Sequence, residues 1–335
     1  MGKRTLHLDI GINGAFLTRR WEEPDNWMRL TAELGYPWHE FCADVLDPFF
    51  SGDRDCQLRT AEEVRVAAEK YDVRLIDIYT GVATHRFHGL SHSHEAVRAR
   101  MFDWIVACMD VALAMGCTRI GGHWDAFSCE VLADQGRATE ARQRTYAQFR
   151  ELARIARAKG LTAIYNEQMY IPSEIPWTIA GAYEFLEEVN PDSDGTPIYL
   201  TVDVGHQAGM HYGAEGDDLD YIAWLRHFAP VAEVVHLQQT TPDASHHWPF
   251  TTDYNERGHV RIDAVLEAIR FGHEHWDENL LSKVMSPVEQ TILVAEIIPG
   301  STKHEDVLLD ELKESAAYLR QFVPEGGLRW EFEES

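Results

Sequence analysis

The fold is decided by the stretch Ile198-Tyr199-Leu200-Thr201-Val202-Asp203-Val204-Gly205-His206. A short run of apolar and β-branched residues ends there in a carboxylate, a glycine and a histidine. Runs of this kind are typical of strands that are buried on both faces of a parallel sheet. Seven further runs share its length and character, and longer segments lie between them. The eight predicted strands are Thr5–Ile10, Trp38–Ala43, Val73–Tyr79, Arg119–His123, Leu161–Asn166, Ile198–Asp203, Ala232–Leu237 and Ile292–Ile297.

The segments between the predicted strands carry apolar residues at helical spacing. The clearest helices are Arg98–Met115, Ala141–Lys159, Thr178–Val189 and Glu305–Phe322, and Gly116 and Gly160 stand where C-caps are expected. Eight strand–helix pairs predict an α/β fold of the (β/α)8 TIM-barrel type, with residues 1–335 forming a single catalytic domain. A dinucleotide-binding open sheet is disfavoured, because the first turn, Gly11-Ile12-Asn13-Gly14, lacks GxGxxG spacing.

The charge of the chain limits its partners. With 30 basic and 55 acidic residues the formal net charge is −25, and such a surface repels phosphate backbones and anionic lipids. We therefore expect no nucleic-acid partner and no membrane partner. No apolar run reaches the roughly 20 residues of a membrane span, and the start lacks a signal-peptide pattern. The five cysteines have no CxxC spacing, so reduced thiols and a cytoplasmic location are expected.

Polar residues stand at the ends of four consecutive predicted strands. Because the C-terminal ends of barrel strands face one cavity, side chains at these positions converge. The four residues are Glu167, Asp203, His236 and Glu296. A carboxylate that follows a buried strand is costly unless it is paired or bound to a cation. The set therefore predicts a site for one divalent metal ion, with Mn²⁺ expected first and Mg²⁺, Co²⁺ or Zn²⁺ as alternatives.

Other polar and aromatic residues are expected around the same cavity. Asp203 and His206 form a DxxH pair in which the histidine reaches the substrate from the following loop, and His123 ends strand four. The long loop Gln238–Gly258 is of the kind that covers active sites. The candidate catalytic residues are Glu167, Glu296, His123 and His206, and the candidate substrate-binding residues include Trp124, Gln238, His247 and Trp248.

Two structural alternatives accompany these candidates. His123 could be a buried histidine without a chemical role, and residues 246–250 could be a loop packed by its own aromatic rings. Four further histidines have no position at a strand end, and most of them are expected on the surface of a loop. These are His85, His88, His92 and His94.

At these residues the chain resembles the xylose isomerase-like TIM barrels of sugar isomerases and epimerases, over nearly its whole length. Two branches of that superfamily are similar to it. One is erythrulose-phosphate epimerase-like, and the other supplies the metal-binding α subunit of bacterial C-glycoside deglycosidases. The resemblance rests on Glu167, Asp203-Val204-Gly205-His206, His236-Leu237-Gln238-Gln239 and Glu296. The stretches most similar to the epimerase branch are Asp47-Pro48-Phe49-Phe50, Asp203 to Gln207, His236 to Thr240 and His247 to Phe250.

The resemblance implies roles for individual residues. It implies that Glu167, Asp203, His236 and Glu296 are the metal ligands, as the strand ends also predict. It further implies that Glu167 and Glu296 form the acid/base pair, and that His206 and Glu174 contact the substrate. The run Gln238-Gln239-Thr240-Thr241 departs from the epimerase pattern, in which an acidic residue and an arginine often stand here. The identity of the sugar is therefore left open.

The leading functional expectation is a metal-dependent sugar isomerase or epimerase that transfers a proton at the carbon next to a ketose carbonyl. The alternative is a lyase that removes the same kind of proton from a 3-keto-glycoside and then eliminates the aglycone, with His123 or His206 as base. The lyase branch implies a small β subunit as partner, and an oligomer is expected in general. A sugar-binding module is the remaining class, and a DNA-repair endonuclease is disfavoured by the net charge of −25.

Overall fold

Eight parallel strands form a closed barrel in the computed structural model, which describes residues 2–18, 20–80, 85–191 and 194–333. Each strand pairs with the next along the chain, and β1 pairs with both β8 and β2, which closes the barrel. The predicted (β/α)8 architecture is confirmed. The barrel strands are β1 Lys3–Asn13, β2 Trp38–Cys42, β3 Arg74–Tyr79, β4 Arg119–Gly121, β5 Ala163–Glu167, β6 Ile198–Asp203, β7 Val234–Leu237 and β8 Gln290–Ala295.

The helices surround the barrel and begin and end at recognisable caps. Asp53, Asp134 and Thr178 accept N-terminal backbone hydrogen bonds of α2, α6 and α7, and Gly116 and Gly160 end α4 and α6 with positive φ. Within the described residues the helices are α1 Pro24–Leu34, α2 Arg54–Lys70, α3 His85–His88, α4 Glu95–Met115, α5 Cys129–Leu132, α6 Gln135–Lys159, α7 Ile179–Val189, α8 Tyr221–Phe228, α9 Thr252–Arg257, α10 Ile262–Glu274 and α11 Glu305–Leu319. In the part of the chain that the structure covers, no helix has the length and apolar character that a bilayer crossing needs.

One strand was not predicted. β9, Leu328–Glu333, lies antiparallel to the first half of β1, with Lys3 opposite Glu333 and Leu8 opposite Leu328. Its residues alternate between apolar and charged side chains. In the described sheet β9 is an edge strand, and β1 is its neighbour. The barrel strands are continuous apolar runs that are buried on both faces, and an edge strand of this kind lacks that pattern.

The barrel wall separates two layers of packed side chains. Along β1, Leu6, Leu8, Ile10 and Ile12 point outward into the main hydrophobic core beneath the helices. The residues that alternate with them point into the barrel, where a smaller apolar cluster fills the interior. That interior cluster consists of Ile76, Tyr79, Ala163, Tyr165, Val234, Ile292 and Val294.

A glycine shapes the C-terminal end of β4. Gly122 has a φ of 134°, and a Cβ atom built on it would lie 1.6 Å from Oγ1 of Thr80. That hydroxyl accepts a hydrogen bond from the backbone N–H of His123, and the carbonyl of Gly122 accepts one from the backbone N–H of Glu167. Only a residue without a side chain allows both contacts, so Gly122 positions the ends of β4 and β5.

We predict that Gly122→Ala destabilises the protein by about 3 kcal/mol or more, because backbone strain and overpacking each cost about 1–3 kcal/mol. Gly160→Ala is the matched control, since Gly160 has a φ of +100° but no heavy atom within 4 Å of a built Cβ. It should cost only the strain of a left-handed residue, about 1–2 kcal/mol. Thermal unfolding followed by circular dichroism measures both variants, and equal midpoints would contradict this account of Gly122.

Candidate metal centre and active site

Four side chains from four neighbouring strands meet at the C-terminal end of the barrel. Glu167 and Asp203 are the last residues of β5 and β6, His236 lies in β7, and Glu296 follows β8 directly. Each offers one ligand atom, and these atoms all lie within 4.8 Å of one another. Asp203 and His236 are fully buried, whereas Glu167 and Glu296 keep 7% and 9% of their surface exposed. The predicted ligand set is therefore brought together in one place.

The imidazole of His236 lies between the other three ligands and a fourth carboxylate. Its Nδ1 is 3.0 Å from Oε1 of Glu167, 3.3 Å from Oε2 of Glu296 and 3.9 Å from Oδ2 of Asp203. Burial lowers the pKa of His236, but the negative charges of Glu296, Glu40 and Glu167 outweigh burial and hold that pKa well above its usual value. A positive charge is thus stabilised at the point where the three carboxylates converge, and a divalent cation meets the same requirement.

Glu40 was missed by the sequence prediction. It lies inside β2 and is fully buried, and its Oε2 is 2.9 Å from Nε2 of His236. Nδ2 of Asn13 donates a hydrogen bond of 2.5 Å to the same oxygen. A carboxylate that accepts the N–H of one ring nitrogen leaves the other nitrogen free for a metal ion, and such contacts tune metal sites. The available signal was a lone carboxylate within the apolar strand Trp38-His39-Glu40-Phe41-Cys42.

Asp203 is held by an amide side chain and a backbone amide. The N–H of Gly205 donates to its Oδ1 at 2.6 Å, and Nε2 of Gln238 lies 3.0 Å and 3.1 Å from its two oxygens. A Cβ on Gly205 would lie 2.3 Å from Cδ of Gln238, so the glycine makes room for that amide. Gln238, predicted to bind substrate, is placed by the structure behind a ligand carboxylate.

A cavity of about 220 Å³ opens above the ligand set. Glu167 and Glu296 line it, whereas the fully buried Asp203 and His236 do not. Burial and the negative charge of Glu296 raise the pKa of Glu167. Burial also opposes ionisation of Glu296, but His236 and His247 outweigh it and lower the pKa of that carboxyl. The other residues of the cavity wall include Asn13, Tyr79, Thr80, His85, Arg86, His123, Met169, Tyr170, His206, Ser245 and His247.

His206 lines the cavity with a fixed ring orientation. Its Nδ1 lies 2.8 Å from the carbonyl oxygen of Gln168, which makes Nδ1–H the donor to that oxygen. Its Nε2 is 3.6 Å from Oδ2 of Asp203. His247, on the other side, has Nδ1 3.2 Å from Oε2 of Glu296, and its φ is 51°. Both imidazoles stand at the edge of the ligand cluster, where they can reach a bound molecule.

His123 and His85 form a second pair of buried rings at the cavity. Nδ1 of His123 donates to the carbonyl oxygen of Glu167 at 3.2 Å, and the two ring centroids are 4.9 Å apart. Nε2 of His85 lies 3.4 Å from Oε1 of Glu174, and Nε2 of His123 lies 3.5 Å from Oδ1 of Asp125; within the described residues neither contact has hydrogen-bond geometry. The expectation of a loop surface is wrong for His85, because the short helix α3 folds it against the cavity. His88 and His94 are exposed, as expected.

Glu174 anchors the only arginine that lines this cavity in the described part of the chain. Nε of Arg86 donates to Oε1 of Glu174 at 2.6 Å, and a second guanidinium nitrogen donates to the hydroxyl of Tyr170. Burial raises the pKa of Glu174, but contacts with His85, His123 and Arg86 outweigh burial and lower it to about 2. The carboxylate is therefore ionised, and the positive charge of Arg86 is largely matched.

Two predicted substrate-binding tryptophans do not line the cavity. Trp124 is 1% exposed and packs in the main core, where its ring stacks on Phe149 at 5.8 Å. Trp248 stacks on His246 at 3.9 Å and lies under the guanidinium of Arg257. The loop that carries Trp248 is thus packed by its own rings, which is the structural alternative that the sequence left open. The predicted roles of both tryptophans find no support in this placement.

A family model for the xylose isomerase-like TIM barrel matches residues 28–290. This chain belongs to that family. A sequence relative in it, D-erythrulose 1-phosphate 3-epimerase of Brucella abortus (strain 2308), is 24% identical over 314 residues, which are 92% of this chain and 100% of the relative.

Solved structures share the fold of this family member. A proposed xylose isomerase of Rhodospirillum rubrum ATCC 11170 superposes with a TM-score of 0.79 at 22% identity, over 94% of this chain and 99% of that chain. The 3-keto-D-glucoside 4-epimerase YcjR of E. coli superposes with a TM-score of 0.62 at 15% identity, again over 94% and 99% of the two chains. At these identities the likeness establishes the barrel fold.

We predict that the purified protein binds about one divalent ion per chain, and that Glu40→Gln lowers the affinity for that ion by about 10- to 100-fold. The amide keeps the shape of Glu40 but removes the negative charge that orients and polarises His236. Titration with Mn²⁺, read by isothermal calorimetry and by elemental analysis, gives both numbers. Glu331→Gln is the control, because Glu331 pairs with Lys3 and Arg329 at the surface. Unchanged affinity in Glu40→Gln would exclude the assigned role.

Proposed function

We propose that this chain is a divalent-metal-dependent sugar isomerase or epimerase that transfers a proton at the carbon next to a ketose carbonyl. The observation that carries the proposal is that only two of the four predicted ligands line the cavity. Asp203 and His236 are sealed from the cavity, whereas the carboxylates of Glu167 and Glu296 line it. Two carboxylates that border a sugar-sized cavity and also belong to a cation site are placed to accept and return a proton.

The donor set fits a divalent ion. Three carboxylates and one imidazole are buried together, and the combination of oxygen and nitrogen ligands suits Mn²⁺, Mg²⁺, Co²⁺ or Zn²⁺. We propose Mn²⁺ as the ion. When bound, it would act as a Lewis acid that stabilises negative charge on the carbonyl oxygen of the substrate. Asp203 and His236 would hold it without taking part in proton transfer.

Side chains of the protein then transfer the proton and position the substrate. One of the two cavity glutamates, Glu167 or Glu296, removes the proton from the carbon, and a protonated carboxyl group returns one. If the proton returns to the opposite face of the same carbon, the reaction is an epimerisation. If it returns to the former carbonyl carbon, and the hydroxyl proton of the first carbon moves to the former carbonyl oxygen, the reaction is an isomerisation. His206 and His247 flank the glutamates and can hydrogen-bond to substrate hydroxyls, which fixes the face that is presented.

The relatives support a sugar substrate, and they differ in which sugar they act on. The Brucella relative is named for a sugar phosphate, and the E. coli structure for a keto-glucoside. Both names describe epimerisation, which needs a proton to leave and return at one carbon. A small-molecule sugar is therefore the partner that we propose. The oligomeric state and the cytoplasmic location remain predictions of the sequence.

A lyase is the second candidate, and the observation that favours it is His123. This ring lines the cavity, and its Nε2 lies 3.5 Å from Oδ1 of Asp125 without the geometry of a hydrogen bond in the described residues. In that reaction a base takes the proton next to the keto group of a 3-keto-glycoside. The bond to the aglycone then breaks, its electron pair leaves with the aglycone, and a proton is returned to it. The candidate implies a small β subunit. Elimination seen only with a co-purifying subunit would favour the lyase over the epimerase.

We predict that Glu296→Gln lowers the rate of carbon–hydrogen exchange by about 10²- to 10⁴-fold, because the amide fills the same space but cannot accept a proton. The metal-loaded protein is incubated with candidate ketoses and 3-keto-glycosides in D2O, and exchange is followed by NMR. The metal content of the variant is measured at saturating Mn²⁺, so that loss of the ion is separated from loss of the base. Glu325→Gln, an exposed site, is the control. Near-normal turnover in Glu296→Gln would remove its acid/base role.

We predict that His206→Ala raises KM or lowers kcat while the metal content stays near one ion per chain. The reason is that Nδ1 of His206 is already bound to the carbonyl of Gln168, and its Nε2 stands 3.6 Å from a ligand carboxylate. His211→Ala is the control, because His211 is exposed in the same loop. Steady-state kinetics and elemental analysis provide the two readouts. If the variant loses its metal, His206 is itself a ligand.

A further inference from the structure

A second cavity adjoins the catalytic cavity. It encloses about 590 Å³, against about 220 Å³ for the catalytic cavity, and the two share Thr80, His85 and His123 as wall residues. Its remaining walls come from the segment after β2, from His88 of α3 and from helix α4. The first and the last of these contribute Phe49, Phe50 and Trp104 among others. We call this space the annex. A molecule whose reacting part lies at the glutamates can extend past His123 into the annex.

The aromatic wall of the annex is held in place by one carboxylate. Oδ1 of Asp47 accepts hydrogen bonds from the backbone N–H groups of Phe49 and Phe50, and its Oδ2 accepts from Nε1 of Trp104 at 3.1 Å. The guanidinium of Arg100 lies 3.6 Å from the ring centroid of Phe49. Asp47 therefore connects the loop that carries Phe49 and Phe50 to Trp104 of helix α4, so that aromatic side chains from both elements border the annex. Phe50 remains 87% exposed, so it borders the open side of the annex.

The junction between the cavities is polar. His85 and His123 are 8% and 2% exposed. Nε2 of His85 lies 3.4 Å from Oε1 of Glu174 and Nε2 of His123 lies 3.5 Å from Oδ1 of Asp125, but neither contact has the geometry of a hydrogen bond. Buried polar atoms are seldom left without a partner. A bridging oxygen or hydroxyl of a bound molecule, located between a sugar and its substituent, would supply one. The junction thus offers polar groups to the bridging atom of a bound molecule, and the annex offers aromatic groups to the substituent beyond that atom.

We propose that the annex binds an aromatic or similarly flat apolar group attached to the sugar, so that the substrate is a glycoside or related conjugate rather than a free ketose or a sugar phosphate. This inference rests on the proposed function for the position of the sugar. Aromatic groups bury about 150–250 Å² and pack well against other rings. Drug-sized ligands occupy pockets of about 300–1,000 Å³, a range that includes the annex but exceeds the catalytic cavity.

The charges of the annex argue against a phosphate group. Asp44 and Asp47 stand in its wall, and Arg100, the one arginine among its described wall residues, lies over Phe49. In the catalytic cavity, Arg86 is bound to Glu174 and Tyr170. A phosphate would thus meet two carboxylates, an arginine that stacks on Phe49, and an arginine that is already bound to Glu174. This chain would therefore differ in substrate from its Brucella relative, whose name specifies a 1-phosphate.

The test compares two glycosides that differ only in the aglycone. Phenyl and methyl β-D-glucopyranoside are titrated into the metal-loaded full chain by isothermal calorimetry, a readout that needs no turnover. We expect the phenyl glycoside to bind at least about tenfold more tightly. Phe49→Ala and Ala96→Trp should each remove that advantage, because the first deletes an aromatic wall and the second fills the annex from an exposed helix position. Phe271→Ala, at a partly exposed phenylalanine on α10, is the control and should leave it unchanged.

Three outcomes overturn the inference: equal affinities for the two glycosides, no measurable binding of either one, or a phenyl advantage that survives both annex variants. Exchange in D2O is measured in parallel on free ketoses, a ketose phosphate, and the methyl and phenyl 3-keto-glucosides. Exchange on free ketoses without any phenyl advantage would retain the proposed function and reject the annex role. A phenyl advantage in binding without exchange on any compound would retain the annex and reject the proposed function.

Discussion

Burial of like charges at one end of the barrel is the constraint on which the rest of the structure depends. Glu167, Asp203 and Glu296 converge because β5, β6 and β8 end there, and a fourth carboxylate, Glu40, lies beneath them. An uncompensated carboxylate is costly in such a place. Neighbouring groups offset this cost by donating hydrogen bonds to the carboxylates. Gln238 and a backbone amide bind Asp203, Asn13 binds Glu40, and the ring of His236 connects Glu40 to the ligand set.

The two halves of the barrel contribute different things to the site. Strands β5 to β8 supply the cation ligands and the two cavity glutamates, and their loops supply His206 and His247. The segments after β2, β3 and β4, together with α4, supply the annex and the histidine pair at its entrance. The proposed chemistry and the proposed substrate selection therefore fall on separate parts of the chain. Loops after β2 and β3 can change the accepted substrate without disturbing the charges that surround His236, as the general behaviour of TIM barrels allows.

The parts that could be predicted from sequence are those that depend on local pattern. Apolar runs located the eight barrel strands to within a few residues, and the carboxylates at their ends located the ligand set. Glu40 was not predicted as a site residue because it lies inside a strand rather than at its end. His85 was not predicted because only the folding of α3 turns it toward the cavity. The roles of Trp124 and Trp248 depend on which way a ring points. Strand pattern does not encode that direction, and packing against Phe149 and His246 decides it.

The antiparallel strand β9 has a consequence for how the protein is made. β1 has three neighbours, and two of them, β8 and β9, are formed by residues 290–295 and 328–333. During synthesis on the ribosome, the hydrogen bonds of β1 therefore cannot be completed until residues 328–333 have emerged. Contacts between such distant segments slow folding, because closing long loops costs entropy before the contacts form. A nascent chain interrupted before residue 328 would expose one edge of β1 to other unfinished chains, which is a known route to aggregation.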